Sequence, residues 1–134
     1  MRKAGSTEQS HLEKTVLEIL KSKAQSKIYL FLLNCKEAKT DDIIKGTHLH
    51  PSTVREALVK MHKEQLLIRR KLKNDAIGKN PFLYSPIPPF QLFRKYAAEI
   101  EHRLNSLALF SLKEHRRQRL NPIKITISDK EDSL

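Results

Sequence analysis

Apolar positions in this chain fall first at intervals of three and four, then briefly in a partly alternating order, then again at three and four. That succession of periods predicts several helices, one hairpin and a further long helix. Leu12, Val16, Ile19 and Leu20 predict a first helix over about 7–21, with Ser6 and Gln9 at capping-box spacing at its start. Residues 1–6 are polar and expected to fray. Ser22 and Gln25 repeat the start signal, so a second helix is expected over 23–34, with Ile28, Phe31, Leu32 and Cys35 on its apolar face. Thr40, followed by Asp41 and Asp42, opens a short helix that Gly46 is placed to end. After a turn at 47–50, Pro51 suits the first position of a helix running to about 64, with Val54, Leu58 and Met61 facing inward.

The period then changes. Residues 66–73 (Leu-Leu-Ile-Arg-Arg-Lys-Leu-Lys) read as a strand, 74–80 as a turn-rich connection and Phe82-Leu83-Tyr84 as the returning strand, a hairpin with a basic tip. Pro86, Pro88 and Pro89 separate it from a long helix over about 89–116. There Phe90, Phe93, Ala97, Ile100, Leu104 and Leu107 keep a three-four spacing over nearly three heptads, an apolar seam that has to be buried against the first helix or against a second copy. Asn121-Pro122 ends the helix. The alternation from Ile123 to Ile127 is compatible with an edge strand or with a disordered tail.

Composition sharpens this outline. At 134 residues there is room for one modest core plus an appended helix, and 39% hydrophobic against 31% charged residues favours a partner over the remaining apolar surface. The formal net charge of +11 points to polyanions, nucleic acid first and an anionic membrane surface second. No run approaches the length of a membrane span, and Met1-Arg2-Lys3 followed by polar residues lacks the apolar core of a signal peptide, so a cytoplasmic location is expected. The single cysteine, Cys35, excludes an intramolecular disulfide and reads as a buried structural thiol. With no Cys-x-x-Cys or His-x-x-x-His pair, no glycine-rich phosphate loop and no nucleophile context, no metal, no cofactor and no catalysis are expected.

The order helix, short helix, turn, helix, hairpin is that of a winged helix-turn-helix. The stretches Ser26–Leu32 (SKIYLFL), Thr47–Leu58 (THLHPSTVREAL) and Leu66–Arg70 (LLIRR) resemble the DNA-binding domain of TrmB-type and MarR-type winged-helix regulators of archaea and bacteria, over roughly residues 22–112. His48 stands where the family has a turn glycine, and Gln65 where it has a glycine before the first wing strand. Full-length TrmB proteins carry a sugar-binding domain after the DNA-binding part; none is expected within these 134 residues, so sugar sensing is not among the expectations. The resemblance implies a mainly α fold with a small β-hairpin (α+β): an arm and helix (1–21), a winged helix-turn-helix (22–86), a long dimerisation helix (87–120) and a tail (121–134).

It also implies a homodimeric transcriptional regulator of double-stranded DNA, with helix 51–64 in the major groove and the wing at 69–80 on the backbone or minor groove. Two recognition helices in successive grooves about 34 Å apart would read a pseudo-palindrome. The outward face of helix 51–64 holds Ser52, Thr53, Arg55, Glu56, Val59, Lys60 and Lys63. Arg55 is the expected base reader, because its guanidinium can pair bidentately with guanine. Ser52 and Thr53 suit phosphate or base edges, Thr40 a phosphate at a helix N-terminus, and Arg69, Arg70, Lys71, Lys73 and Lys79 the backbone beside the wing; Glu56 and Lys60 complete the DNA-facing set. Phe90, Phe93, Ala97, Ile100, Leu104 and Leu107 form the expected dimer interface. Arg116, Arg117 and Arg119 are expected to complement a helix C-terminus. The sequence specifies no small-molecule effector. Two other readings of the same pattern are a winged-helix adaptor between proteins and a sequence-independent coat on chromatin or RNA, with the basic wing favouring nucleic acid over an adaptor.

Overall fold

The computed structural model describes residues 3–72, 82–114 and 122–127, with side chains described over 7–72, 82–112 and 122–127. Five helices and one hairpin follow in the order α1 (Lys3–Leu20), α2 (Lys23–Cys35), α3 (Thr40–Thr47), α4 (Pro51–Lys63), β1 (Leu67–Lys71), β2 (Phe82–Pro86) and α5 (Pro89–Glu114). The chain divides into two units, Met1–Ile87 and Pro88–Leu134.

In the first unit, α1 packs on α2, and α2 in turn touches α3, α4 and β2. The reason is compositional: Ile28, Tyr29 and Leu32 turn one side of α2 into the centre of the core, where they meet Ile43 of α3 and Val54, Leu58 and Met61 of α4, all of them sealed from solvent. The phenol of Tyr29 donates to the Ile87 carbonyl at 2.7 Å, fixing the exit of β2 to α2. Burial pushes that phenol up to about 12, so it remains a neutral donor.

Helix boundaries follow local chemistry. Ser22 caps α2 by accepting from the Gln25 amide at 3.1 Å. Helix α1, by contrast, already begins at Lys3, so Ser6 lies inside the helix and is not its cap. Lys39 is the N-cap of α3, one residue before Thr40.

Gly46 does not end α3. The helix continues to Thr47 and closes at His48, whose left-handed backbone (φ 61) directs its amide to the Ile44 carbonyl at 3.0 Å. What Gly46 supplies is clearance, because a methyl group there would overlap the ring of Phe31. Gln65 (φ 63) closes α4 in a Schellman arrangement: its amide donates to the His62 carbonyl at 3.1 Å, the next amide, of Leu66, donates to Met61 at 2.8 Å, and the Leu66 and Met61 side chains are both buried. The two positions at which the resembling family has glycine therefore both have positive φ in this chain.

Strands β1 and β2 are antiparallel, with Arg69 opposite Tyr84 and Arg70 opposite Leu83. Ala38, in the α2–α3 connection, adds a one-residue bridge on the other side of Tyr84, with both amide–carbonyl bonds made at 2.9–3.0 Å. Cys35 is exposed, not buried as its helical spacing suggests. It is the last residue of α2, where Lys36 (φ 76) turns the chain away. Partial desolvation pushes its thiol up, with Asp42 adding to the effect, so the thiolate is not favoured.

In the second unit, α5 runs for 26 residues. Residues 122–127 lie beside it as neither strand nor helix. The Asn105 side chain satisfies both backbone groups of Ile123, accepting from its amide at 2.6 Å and donating to its carbonyl at 3.0 Å, and Glu101 accepts from the Ile125 amide at 2.7 Å. The alternating isoleucines therefore mark a segment held by side chains and not a sheet edge. The expected roles of Arg116, Arg117 and Arg119 fall outside the described residues.

Candidate nucleic-acid interface

The helix-turn-helix is built by three local devices. Thr47 is buried and its hydroxyl donates to the Ile43 carbonyl at 2.7 Å, holding the end of α3. His48 supplies the left-handed turn. His50 then caps α4, its Nδ1 accepting from the Ser52 amide at 3.2 Å and lying 2.9 Å from the Ser52 hydroxyl, with Pro51 at the first helical position. The cap and the buried Val54, Ala57, Leu58 and Met61 set the rotation of α4.

That rotation leaves Ser52, Arg55, Glu56, Val59, Lys60 and Lys63 exposed together, with Thr53 half-buried at the edge. The face expected from spacing is thus present. Ser52 has a prior engagement, since its hydroxyl and amide both meet His50. Thr40 is half-buried at the start of α3, next to the exposed Asp41 and Asp42, whose charges already occupy the positive end of that helix.

Strand β1 follows α4 directly and packs against it. Its cations are not equivalent. Arg69 lies over the Phe82 ring, 4.2 Å from the centroid, and Lys71 is exposed. Arg70 donates to Glu37 at 3.1 and 3.4 Å. Both partners of this pair are well exposed, so it is weak, worth about 0–1 kcal/mol, and a phosphate can displace the carboxylate. Lys73 and Lys79 lie outside the described residues. Sequence reading missed Glu37 and the His50 cap: a contact 33 residues apart has no signature in periodicity, and histidine is not among the usual capping residues.

The expected dimer seam is in the second unit. Phe93, Ala97 and Ile100 are half-buried, whereas Phe90, Leu104 and Leu107 are exposed, Leu107 at 66%. Ala97 lines the same groove as Ile125, Thr126 and Ile127. Arg94 lies over the Phe90 ring at 4.7 Å. Leu109 and Phe110, outside the seam, are also exposed. Among the described residues no helix is long and apolar enough to cross a membrane.

No family model and no curated protein matches the chain. Among solved structures, a possible transcriptional regulator from Methanosarcina mazei Go1 superimposes with a TM-score of 0.59 at 24% identity, over 79% of this chain and 89% of the other. NadR in complex with 4-hydroxyphenylacetate superimposes with a TM-score of 0.49 at 15% identity, over 85% and 83% of the two chains, too loosely to support an inference. The first likeness establishes the fold: mainly helical with a two-stranded antiparallel hairpin, in the winged-helix order.

Proposed function

We propose that this protein is a sequence-specific double-stranded DNA-binding transcriptional regulator that acts as a homodimer, with α4 in the major groove and the hairpin on the adjacent backbone or minor groove. One observation supports this above the others. The inner side of α4 is sealed in the core, while its outer side offers Ser52, Arg55, Glu56, Val59, Lys60 and Lys63 to solvent. A helix held this way fits a major groove. Arg55 donates to guanine O6 and N7; Ser52 and Thr53 reach phosphate or base edges, and Thr40 a phosphate near α3. Lys60, Arg69, Arg70 and Lys71 neutralise phosphates, Arg70 by exchanging Glu37 for one, and Lys73 and Lys79 are assigned the same role. The pairing surface is the partly open seam Phe90, Phe93, Ala97, Ile100, Leu104 and Leu107, which a second copy would cover.

The test is selection from random DNA duplexes at physiological salt, with the oligomeric state measured in parallel. A two-fold symmetric enriched motif bound by a dimer is the expected result. Unselective binding would point to a sequence-independent coat, and no binding to an adaptor. At the enriched site Arg55→Ala should cost about 1–3 kcal/mol while leaving affinity for random duplex unchanged. An equal loss on every sequence would remove Arg55 from base readout.

A further inference from the structure

The 3.6-residue repeat puts Ser52, Glu56, Val59 and Lys63 on one line along α4, opposite the buried line of Val54 and Met61. This line is the middle of the exposed face, with Arg55 and Lys60 on its flanks. Two of its members do not suit a surface made for phosphate. Glu56 carries negative charge, and Val59 is apolar and 67% exposed. Valine is also a weaker helix former than the residues that usually fill a solvated helix face, so its place there serves neither hydration nor helicity. A helix lying in a major groove turns its midline to the base edges and its flanks towards the phosphate walls, from where a side chain as long as that of Arg55 still reaches a guanine edge. Both residue types suit that floor: a branched apolar side chain matches the C5-methyl of thymine, and a carboxylate accepts from the N4 amino group of cytosine.

We infer that Val59 and Glu56 are specificity-determining residues, Val59 packing on a thymine methyl and Glu56 accepting from a cytosine amino group. The inference rests on the duplex-DNA reading above and adds which bases the centre of α4 selects. Glu56 has a second effect, since its charge lowers affinity wherever no cytosine amine meets it, which suppresses binding to random sequence.

The experiment uses the whole chain and the duplex enriched from the random pool, with each thymine replaced in turn by deoxyuridine, which lacks only the methyl. One position in each half-site should weaken wild-type binding about fourfold, the value of one buried methyl group. Val59→Ala should bind the thymine and uridine duplexes equally at that position. Glu56→Gln should bind random duplex more tightly and lose preference at one cytosine. Both residues are exposed, so unchanged melting temperatures verify that the fold is intact. An enriched site at which every thymine tolerates uridine, and at which Glu56→Gln keeps the wild-type base preference, would overturn the inference and leave the DNA reading standing. Absence of any enriched site would overturn the DNA reading itself.

Discussion

Helices α4 and α5 are both amphipathic, yet they leave opposite surfaces exposed. In α4 the apolar side, Val54, Ala57, Leu58 and Met61, is closed within the first unit, and what remains outside is mostly polar and charged. In α5 the apolar seam itself stays partly open at Phe90, Leu104 and Leu107, and one neighbouring flank receives Ile125 to Ile127. The polarity of an exposed face indicates the class of partner that can cover it. A polar, largely cationic face set in a rigid frame suits a hydrated polyanion, whereas an open heptad seam suits another apolar helix.

The largest expected effect breaks this contrast if it fails. Leu58→Ala should destabilise the fold by about 2–5 kcal/mol in chemical denaturation, because the surrounding helices cannot collapse around the missing atoms. Leu107→Ala should leave the stability of the dilute chain within about 0.5 kcal/mol but weaken self-association in sedimentation equilibrium. Equal losses of stability for the two variants would erase the distinction between a closed and an open helix.

Next comes the frame that holds the hairpin. Tyr29→Phe leaves the buried Ile87 carbonyl without its donor and should cost about 1–3 kcal/mol. The folded phenol is held up at about 12 against 10.0 in the unfolded chain, so its contribution is intact below pH 10 and declines as pH rises towards 12. Urea midpoints of wild type and Tyr29→Phe should therefore converge over that range; a constant gap would contradict the assignment.

A smaller effect belongs to the α4 cap. His50→Ala removes the acceptor for the Ser52 amide and should cost about 1 kcal/mol, with early loss of amide-exchange protection at the start of α4. Uniform protection along α4 would show that the cap does not hold it. The smallest effect has the opposite sign. Gln65→Gly removes left-handed strain at φ 63 and should raise stability by about 0.5 kcal/mol, since the relief slightly exceeds the entropy glycine adds to the unfolded chain. A lower denaturation midpoint would refute that balance.

Much of this architecture is legible in spacing. The buried line of α4 and its exposed counterpart follow from the helical repeat, Ser22 and Pro51 mark real helix starts, and the change of period after Glu64 marks the hairpin. What spacing cannot show is where a face stops. Cys35 keeps the period of α2 but sits where the helix ends, and so is exposed. Gly46 looks like a stop signal because glycine often is one, yet its use is tertiary, clearance from Phe31 fifteen residues away in α2. The Ala38 bridge, the Glu37–Arg70 pair and the Asn105 hold on Ile123 each join distant positions through one or two residues, too few to leave a periodic trace. Of the candidate site, the α4 face was legible, whereas the prior engagements of Ser52 and Arg70 were not.

Under the proposed function, the outer face of α4, with the hairpin beside it, is the surface that meets duplex DNA. Amide chemical-shift mapping of the isotope-labelled protein, titrated with its selected duplex, tests this most directly. The largest changes are expected over residues 50–63 and along β1, with the core positions of α2 little affected. Perturbations confined to α1 or α5, with residues 50–63 unmoved at saturation, would contradict it.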